Sequence, residues 1–288
     1  MGTGSGSAGS SRAALLTLAA VLMCTGAGAV FAQATIGPVA GYGPVAAELE
    51  RFIQHEMADK QLPAISIALV DGQRVVWSRG FGTANPADST AATAETIYRV
   101  GSVSKLFTDI GIMQLAEQGK VDIDAPVSRY VPDFHPRNPF QGQITLRQLM
   151  SHRSGLTREP PIGNYFDSTS PPLDATVRSL SETTLLYPLG SHTKYSNGGI
   201  AVVGYVLQSI KKQPFAPYLA HAVLEPLGMS RSSFEPPAAS SAVADRPAAG
   251  FMWTTEGRRF DAPTFQLGIQ PAGSLYTTVN DLARFMSA

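Results

Sequence analysis

Hydrophobic residues recur along the chain at two spacings, one typical of helices and one typical of strands. Helical spacing and end signals predict helices over 45–60, 101–119, 145–155, 200–210 and 218–228, and a last one from Val279. The second of these contains Val103, Leu106 and Met113, so we expect it to be buried. Thr145 and Gln148 have the spacing of a capping box at the start of the third helix.

The strand pattern lies between the first two predicted helices. Apolar residues alternate over 65–69 and resume over 74–81, and Asp71-Gly72 between them predicts a hairpin turn. We therefore expect an α/β (α+β) fold, with an antiparallel sheet flanked by helices and a helical subdomain.

The first 34 residues have the layout of a secretory signal peptide. Arg12 is the only charged side chain before Glu48, residues 13–31 are apolar, and Ala32-Gln33-Ala34 offers small residues for cleavage. We therefore expect residues 1–34 to direct export, giving a secreted or periplasmic protein. The alternative is a retained inner-membrane anchor, since the apolar run approaches the length that spans a bilayer. An uncleaved segment of this kind is the only membrane contact that we expect.

Composition and charge exclude several classes of protein. The 288 residues include 22 basic and 22 acidic side chains, and this balance argues against a nucleic-acid partner. The single cysteine, Cys24, rules out a disulfide framework and CxxC metal sites, and the five histidines form no HExxH pair. We therefore expect chemistry that needs no thiol, no metal and no cofactor.

A serine three residues before a lysine is the first candidate for chemistry. On a helix the two side chains share a face, so the lysine can take the serine's proton if burial favours its neutral amine. The pattern occurs three times in the chain, at Ser102/Lys105, Ser191/Lys194 and Ser209/Lys212. Only Lys105 lies among apolar residues near the start of a predicted helix, so we predict that Ser102 and Lys105 are the functional pair.

Tyr195 and Asn197 form the only Tyr-x-Asn sequence in the chain. Side chains two residues apart point to the same side of an extended chain, so a working pair requires a loop before the helix at Gly198. The alternative interpretation is structural, with Asn197 capping the helix and Tyr195 packing as an ordinary aromatic residue.

Five segments together resemble the serine beta-lactamase and penicillin-binding protein superfamily, and they occur in its order. They are Gly101–Thr108, Ile144–Leu156, Tyr195–Gly199, Glu225–Met229 and Pro271–Tyr276. The Tyr-x-Asn motif is similar to that of class C beta-lactamases, D-alanyl-D-alanine carboxypeptidases and related esterases. The resemblance implies a beta-lactamase/transpeptidase-like fold from about residue 45 to the last residue, 288. Within residues 35–288, it implies an α/β part, 35–98 and 265–288, and a helical subdomain, 99–264.

The resemblance also implies a reaction, acyl transfer through a covalent acyl-enzyme. Ser102 would be the nucleophile, and its backbone N–H would supply half of the oxyanion hole. Lys105 and Tyr195 would share general base and acid work, and Asn197 would hold the substrate's amide. The implied substrates are small esters or amides, beta-lactams, or peptidoglycan-type peptides. His152, inside the second segment, has no assigned chemistry.

One expected feature of the superfamily is missing. Its third motif, Lys-Thr-Gly or His-x-Gly, normally follows on a later strand, and nothing after Asn197 matches it. Arg153-Ser154-Gly155 fits a loose version, but it lies before Tyr195 and is no substitute. We therefore expect the chain to be the N-terminal part of a longer protein that lacks its C-terminal strands.

The missing motif keeps other functions open. Beside an exported serine hydrolase, the sequence is compatible with a penicillin- or peptidoglycan-binding module that is catalytically incompetent. A third interpretation is a helical protein in which Ser102 and Tyr195 are only structural, and it predicts that Ser102→Ala changes neither activity nor labelling.

Overall fold

The structure of the protein, a computed structural model, describes residues 1–2, 35–237 and 245–288. Almost all of the predicted signal peptide, residues 1–34, lies outside the described residues. The described residues from Thr35 onwards belong to one unit of contacting elements. In this part of the chain no helix is both long and apolar enough to cross a membrane.

The N-terminal layer is a helix packed on an antiparallel sheet, as the hydrophobic pattern predicts. Its elements are α1 (Gly43–Asp59), β1 (Ala64–Asp71), β2 (Arg74–Asn85) and β3 (Thr90–Ala91). The strand order is β1-β2-β3, and Asp71 pairs with Arg74 across the predicted hairpin turn. Ala46 and Ile53 of α1 pack with Trp77 and Phe81 of β2 in a small separate core.

The middle of the chain is helical, and its helices surround one long buried helix. They are α2 (Ser104–Glu117), α3 (Leu146–Met150), α4 (Leu173–Ser179), α5 (Asn197–Lys211) and α6 (Phe215–Leu219), with a π-helical turn at Ala220–Leu224 and short 3-10 turns at Gly101–Val103, Val127–Arg129 and Leu180–Glu182. Helix α5 contacts α2, α3, α4 and α6. Ten of its residues are buried, so the other helices pack around it.

The last described segment returns to the N-terminal layer. It contains β5 (Phe251–Trp253), β6 (Arg259–Asp261), α7 (Gln270–Gly273), β7 (Tyr276–Thr277) and α8 (Val279–Met286). Strand β7 pairs with β4 (Tyr98–Arg99), and α8 packs on β1. Because β4 leads directly into the turn that carries Ser102, this pairing brings α7 beside the start of α2.

The structure corrects three expectations about individual elements. Helix α3 ends at Met150, and the capping box at Thr145 is formed, but Gly155 lies beyond the helix in a left-handed turn. The pair β5–β6 forms an antiparallel hairpin inside the segment that was expected to be helical. Its strands have three residues each, too few for an alternating pattern to identify.

The third correction concerns the burial of α2. Phe107 and Leu115 are fully buried, but Leu106 is 53% exposed and Met113 is 47% exposed. Val103, just before the helix, is also exposed. One side of the start and middle of α2 is therefore apolar and open to solvent in the described structure. The sequence pattern identified an apolar helix but not which of its sides is covered, because both sides carry apolar residues.

Candidate active site

The proposed nucleophile, Ser102, lies on an exposed turn at the entrance to α2. Gly101, just before it, has φ +53°, a left-handed conformation that glycine adopts at no steric cost. A 3-10 turn over Gly101–Val103 then leads into the helix, and the backbone N–H of Val100 bonds to the Leu275 carbonyl. The hydroxyl is therefore accessible to a substrate while the backbone around it is fixed.

Lys105 follows on the first turn of α2, and its side chain is held between Ser102 and α7. The residue is 7% exposed. Its Nζ lies 3.1 Å from Ser102 Oγ and donates to the Ala272 carbonyl at 2.7 Å. Burial lowers the pKa of the amine, and this effect is opposed by the Tyr195 hydroxyl and by the charge of Glu159. The environment therefore favours a neutral amine beside the serine.

Tyr195 completes the site from a loop that precedes α5. Its hydroxyl lies 2.6 Å from Ser102 Oγ, and either oxygen can be the donor. Lys105 Nζ lies 4.8 Å from the centroid of the tyrosine ring, and Arg158 Cζ lies 5.1 Å from it. The three residues predicted for proton transfer, Ser102, Lys105 and Tyr195, are thus brought together within hydrogen-bond reach.

His152 supports Tyr195, a role that the sequence analysis did not assign. The two rings are 4.4 Å apart, and His152 Nδ1 accepts from the Ser196 backbone N–H at 3.3 Å. His152 itself has φ +58°, which turns the chain sharply after α3. Burial, assisted by the charge of Lys105, lowers the pKa of the imidazole, which favours the neutral ring that accepts this bond.

Ser196, not Asn197, caps helix α5. The Ser196 hydroxyl accepts from the Gly199 N–H at 2.9 Å and donates to the Thr157 carbonyl at 2.7 Å. The structural interpretation of Asn197 as a helix cap is therefore wrong. The side-chain amide of Asn197 bonds to Glu159 instead, with Nδ2 donating to Oε1 at 2.6 Å.

Arg158 and Glu159 are functional candidates that the sequence analysis missed. They follow the Ile144–Leu156 segment by two residues, and no spacing marks them out. The Arg158 carbonyl accepts from the Asn197 backbone N–H at 2.7 Å, so this short loop is fixed to the start of α5. Its residues become part of the site only because the two distant segments meet.

The other Ser-x-x-Lys pairs lie outside this arrangement, as predicted. Ser191 is exposed in a loop and donates to the Pro188 carbonyl, and Lys212 is the left-handed residue that ends α5. Arg153, of the rejected third-motif match, donates to the Gly190 carbonyl from Nε at 3.1 Å. Across residues 1–2, 35–237 and 245–288, no group of three His, Cys, Asp or Glu residues is placed to hold a metal ion.

The described structure also contains a mainly apolar cavity of about 310 Å³, which none of Ser102, Lys105 and Tyr195 lines. Its walls include Tyr165, Met252, Phe265 and Leu267, with Arg99 at one side. Burial raises the pKa of Tyr165, and the charges of Arg99, Glu159 and Arg158 also act on it. Arg99 donates to the Gly273 carbonyl at 3.2 Å, one residue after the carbonyl that binds Lys105.

Comparisons with known proteins identify the family of the chain. The beta-lactamase family matches residues 49–288. Beta-lactamase-like protein 2 of Dictyostelium discoideum is 32% identical over 247 residues, which are 83% of this chain and 44% of that protein. The chain thus spans less than half the length of this curated relative.

Solved structures show the same fold. The octameric penicillin-binding protein homologue from Pyrococcus abyssi has 30% identity and a TM-score of 0.74, over 84% of this chain and 55% of that chain. D-alanine carboxypeptidase AmpC from Burkholderia cenocepacia has 26% identity and a TM-score of 0.67, over 85% and 64% of the two chains. These findings confirm the resemblance, and the chain belongs to the beta-lactamase family, within the superfamily of serine beta-lactamases and penicillin-binding proteins.

Proposed function

We propose that the protein is a serine hydrolase that forms an acyl-enzyme on Ser102 with ester or amide substrates. One observation carries this proposal: an exposed serine hydroxyl lies 2.6 Å from the Tyr195 hydroxyl and 3.1 Å from the amine of buried Lys105. Membership of a family whose solved relatives include a D-alanine carboxypeptidase supports it. The chain spans only part of the length of these relatives, so its activity is itself part of the proposal.

The proposed reaction moves one proton through the three residues. Lys105, in its neutral form, which burial favours, accepts the Ser102 proton while Oγ attacks the carbonyl carbon of the substrate. The tetrahedral oxyanion would be stabilised by the Ser102 backbone N–H. The proton then passes through Tyr195 to the leaving group as the bond to the carbonyl carbon breaks. Water attacks the acyl-enzyme in the second half, and Ser102 regains its proton.

The substrates that we propose are small esters, amides, beta-lactams or peptidoglycan-type peptides. The apolar cavity beside Tyr165 supports substrates that carry an apolar group. The formal charge of the chain is zero, so long-range steering contributes little to substrate choice.

The test is the intact mass of the full chain after exposure to a fluorophosphonate or a fluorescent penicillin. We expect one adduct, lost in Ser102→Ala and kept in Ser191→Ala, the matched serine of a second Ser-x-x-Lys pair. An adduct that survives in Ser102→Ala would exclude Ser102 as the nucleophile. A folded chain that gains no adduct from either reagent would exclude an activated serine.

A second measurement separates a hydrolase from a binding module. A hydrolase releases many equivalents of product from a chromogenic ester, whereas a module that only becomes acylated stops after one equivalent. The similarity to the octameric penicillin-binding protein homologue from Pyrococcus abyssi is the observation that supports the binding module as a second candidate.

We also propose that residues 1–34 act as a signal peptide and that the protein is exported. The apolar run and the small residues at Ala32-Gln33-Ala34 support this. Mass spectrometry of protein recovered from a bacterial periplasm should give a chain that begins near Thr35. Recovery of the uncleaved chain in the membrane fraction would support the anchor instead.

A further inference from the structure

The apolar cavity of about 310 Å³ has a positive charge in its wall. Among the described residues that line it, Arg99 is the only charged one, and the wall beside it includes Met252, Phe265, Leu267 and Tyr276. The guanidinium itself lies at this wall, because Nη1 donates to the Phe265 carbonyl at 3.5 Å and Cζ lies 5.7 Å from the centroid of the Tyr276 ring. The cavity is therefore an apolar space with one cation at its side.

Arg99 bonds only to neutral acceptors within the part of the chain that the structure describes. Nε donates to the Gly273 carbonyl at 3.2 Å, and Nη2 donates to the Ser274 hydroxyl at 3.4 Å. The bonds of Nη1 and Nη2 are longer than usual for N–H···O contacts. Because a guanidinium carries five N–H groups, each terminal nitrogen keeps a second N–H. These two groups match the fork that binds both oxygens of a carboxylate.

The acidic side chains of this region do not compensate the charge of Arg99. Glu159 accepts from Asn197 and lies 3.4 Å from Arg158 Nε. Asp261 is exposed on β6 and lines a neighbouring cavity. Arg99 is only partly exposed, and a charge in such a place is normally compensated by an anion. Its remaining N–H groups are therefore available to an anionic ligand.

Tyr165 adds a hydroxyl donor beside the guanidinium. A Cβ at Gly273 would collide with this hydroxyl, and the Gly273 carbonyl accepts from Arg99 Nε, so the two donors meet at one glycine. Tyr165 also lines the cavity. Burial raises the pKa of its hydroxyl, an effect that the charge of Arg99 partly opposes, so the group stays protonated at neutral pH and can donate.

We propose that this cavity binds a carboxylate that carries an apolar chain, with Arg99 and Tyr165 holding the carboxylate oxygens and the apolar wall covering the chain. At about 30 Å³ for one water molecule, the cavity has room for roughly ten non-hydrogen atoms, the size of a medium-chain acid. None of Ser102, Lys105 and Tyr195 lines the cavity, so the acid is held outside the group of reacting residues. Hydrolysis of an ester with an apolar acyl group releases an acid of this class.

The test compares three ligands, titrated into the full wild-type chain by ligand-detected NMR. Octanoate carries the charge and the chain, octanamide keeps the chain without the charge, and butyrate keeps the charge with a shorter chain. We expect octanoate to bind about 10- to 100-fold more tightly than octanamide, the range typical of hydrogen bonds to a charged group. The four methylenes that butyrate lacks should weaken its binding by about 100-fold or more.

Variants of the two donors locate the site. Arg99→Met removes the charge, so octanoate should then bind no more tightly than octanamide. Arg129→Met, the same change at an exposed arginine in the 3-10 turn Val127–Arg129, should leave both affinities unchanged. Tyr165→Phe removes one neutral donor and should weaken octanoate about 2- to 10-fold, whereas Tyr205→Phe on α5 should have no effect.

A third variant tests the charge of the cavity without touching the bonds of Arg99. Met252 lines the cavity from the β5–β6 hairpin and is 42% exposed, so a polar residue is tolerated there. Met252→Asp adds a negative charge to the wall and should weaken octanoate more than Met252→Asn, its neutral match, does. The two variants should bind octanamide equally.

Other outcomes would overturn the inference. These are equal or tighter binding of octanamide to the wild-type chain, an octanoate affinity that survives in Arg99→Met of unchanged melting temperature, or no detectable binding of octanoate. Equal octanoate affinities of Met252→Asp and Met252→Asn would also contradict it, and this comparison remains available if Arg99→Met does not fold. None of these measurements involves labelling of Ser102, so failure of the proposed function is observed separately.

Discussion

The hydroxyl oxygens of Ser102 and Tyr195 lie 2.6 Å apart although 93 positions separate the two residues in the chain. Ser102 stands before α2 and Tyr195 before α5, so the contact exists because two helices start at the same place. Both ends are fixed independently, one by the Leu275 carbonyl bound to Val100 and the other by the Ser196 cap. The role of this contact can be tested by removing the hydroxyl oxygen of Tyr195.

We expect Tyr195→Phe to slow labelling of Ser102 by about 100- to 10,000-fold, the range that a positioned proton-transfer group contributes. The ring would stay in place, because its packing on His152 does not involve the hydroxyl. The measurement is the rate of fluorophosphonate adduct formation by intact mass. Tyr205→Phe, on α5 outside the site, is the control. A Tyr195→Phe rate equal to wild type would show that the hydroxyl transfers no proton.

The burial of Lys105 predicts how labelling depends on pH. Its pKa is lowered from 10.5, so the neutral amine becomes available at lower pH than in solution. The labelling rate should therefore rise with pH until that lowered pKa and then level off. Lys105→Arg, which stays protonated throughout, should lose the rise and most of the rate. A pH profile shared by wild type and Lys105→Arg would assign the base to another group.

The same shift predicts a pH-dependent stability. Between the lowered pKa and 10.5 the unfolded chain holds a proton that the folded chain has released, so stability rises with pH in that window. Below the lowered pKa both the folded and the unfolded chain hold this proton, so folding carries the full free-energy cost of burying the charged amine. Lys105→Met removes this dependence, and the unfolding free energy of the variant relative to wild type should fall as pH approaches 10.5. Denaturant titrations at several pH values measure it, and a constant difference would contradict it.

Asp109, four residues after Lys105 on α2, predicts that stability changes with pH in the opposite direction. Burial raises the pKa of this carboxyl from 3.8 to about 7, while the charge of Lys105 acts in the other direction. The folded chain therefore holds an extra proton between those values, and stability falls as pH rises through them. The cost at pH 8 has an upper bound of about 4 kcal/mol at 1.36 kcal/mol per pH unit.

We expect Asp109→Asn to raise the melting temperature at pH 8 and to leave it nearly unchanged at pH 4. Asp59→Asn, an exposed carboxylate at the end of α1, should change neither value. Equal effects of Asp109→Asn at both pH values would mean that the carboxyl titrates normally in the folded protein.

Helix α5 depends on a glycine for its contact with α7. A Cβ at Gly204 would stand 2.5 Å from Pro271 Cβ and 3.2 Å from Phe215. Alanine favours helices by about 1 kcal/mol over glycine, but overpacking typically costs about 1–3 kcal/mol or more. We expect Gly204→Ala to lower the unfolding free energy by about 2 kcal/mol, measured in denaturant, with slower Ser102 labelling because Pro271 precedes Ala272.

Gly43→Ala is the matched control for this variant. Gly43 begins α1, and a Cβ there meets nothing within 4 Å. Its effect should lie within about 0.5 kcal/mol of wild type, as for most open surface positions. A Gly204→Ala protein as stable as Gly43→Ala would mean that α5 and α7 can separate without cost.

The spacing of apolar residues and the capping residues predicted the helices whose formation depends on residues close in the sequence. The spacing of apolar residues identified α1, α2 and α5, and Thr145 with Gln148 identified the cap of α3. The choice of Lys105 over Lys194 and Lys212 rested on predicted burial, and that burial is observed. The hairpin β5–β6 was missed because strands of three residues are too short for an alternating pattern to identify.

The partners of the site could not be predicted in the same way. His152, Glu159 and Ala272 lie far from Ser102 in the chain and carry no spacing that relates them to it. Ala272 acts through a backbone carbonyl, which every residue has, so its identity holds no signal. Such roles follow from tertiary packing, and only the fold reveals them.

The bond from Lys105 Nζ to the Ala272 carbonyl has a practical consequence. It joins residues 167 positions apart, and the proposed base is held beside Ser102 only while that long-range contact persists. Reactivity at this serine would then act as a conformational sensor, because a chain that has lost tertiary order still contains every reactive residue but cannot assemble them. Gel fluorescence of a serine-directed probe would report the intact fraction of a preparation, in a cell extract as readily as in a purified sample.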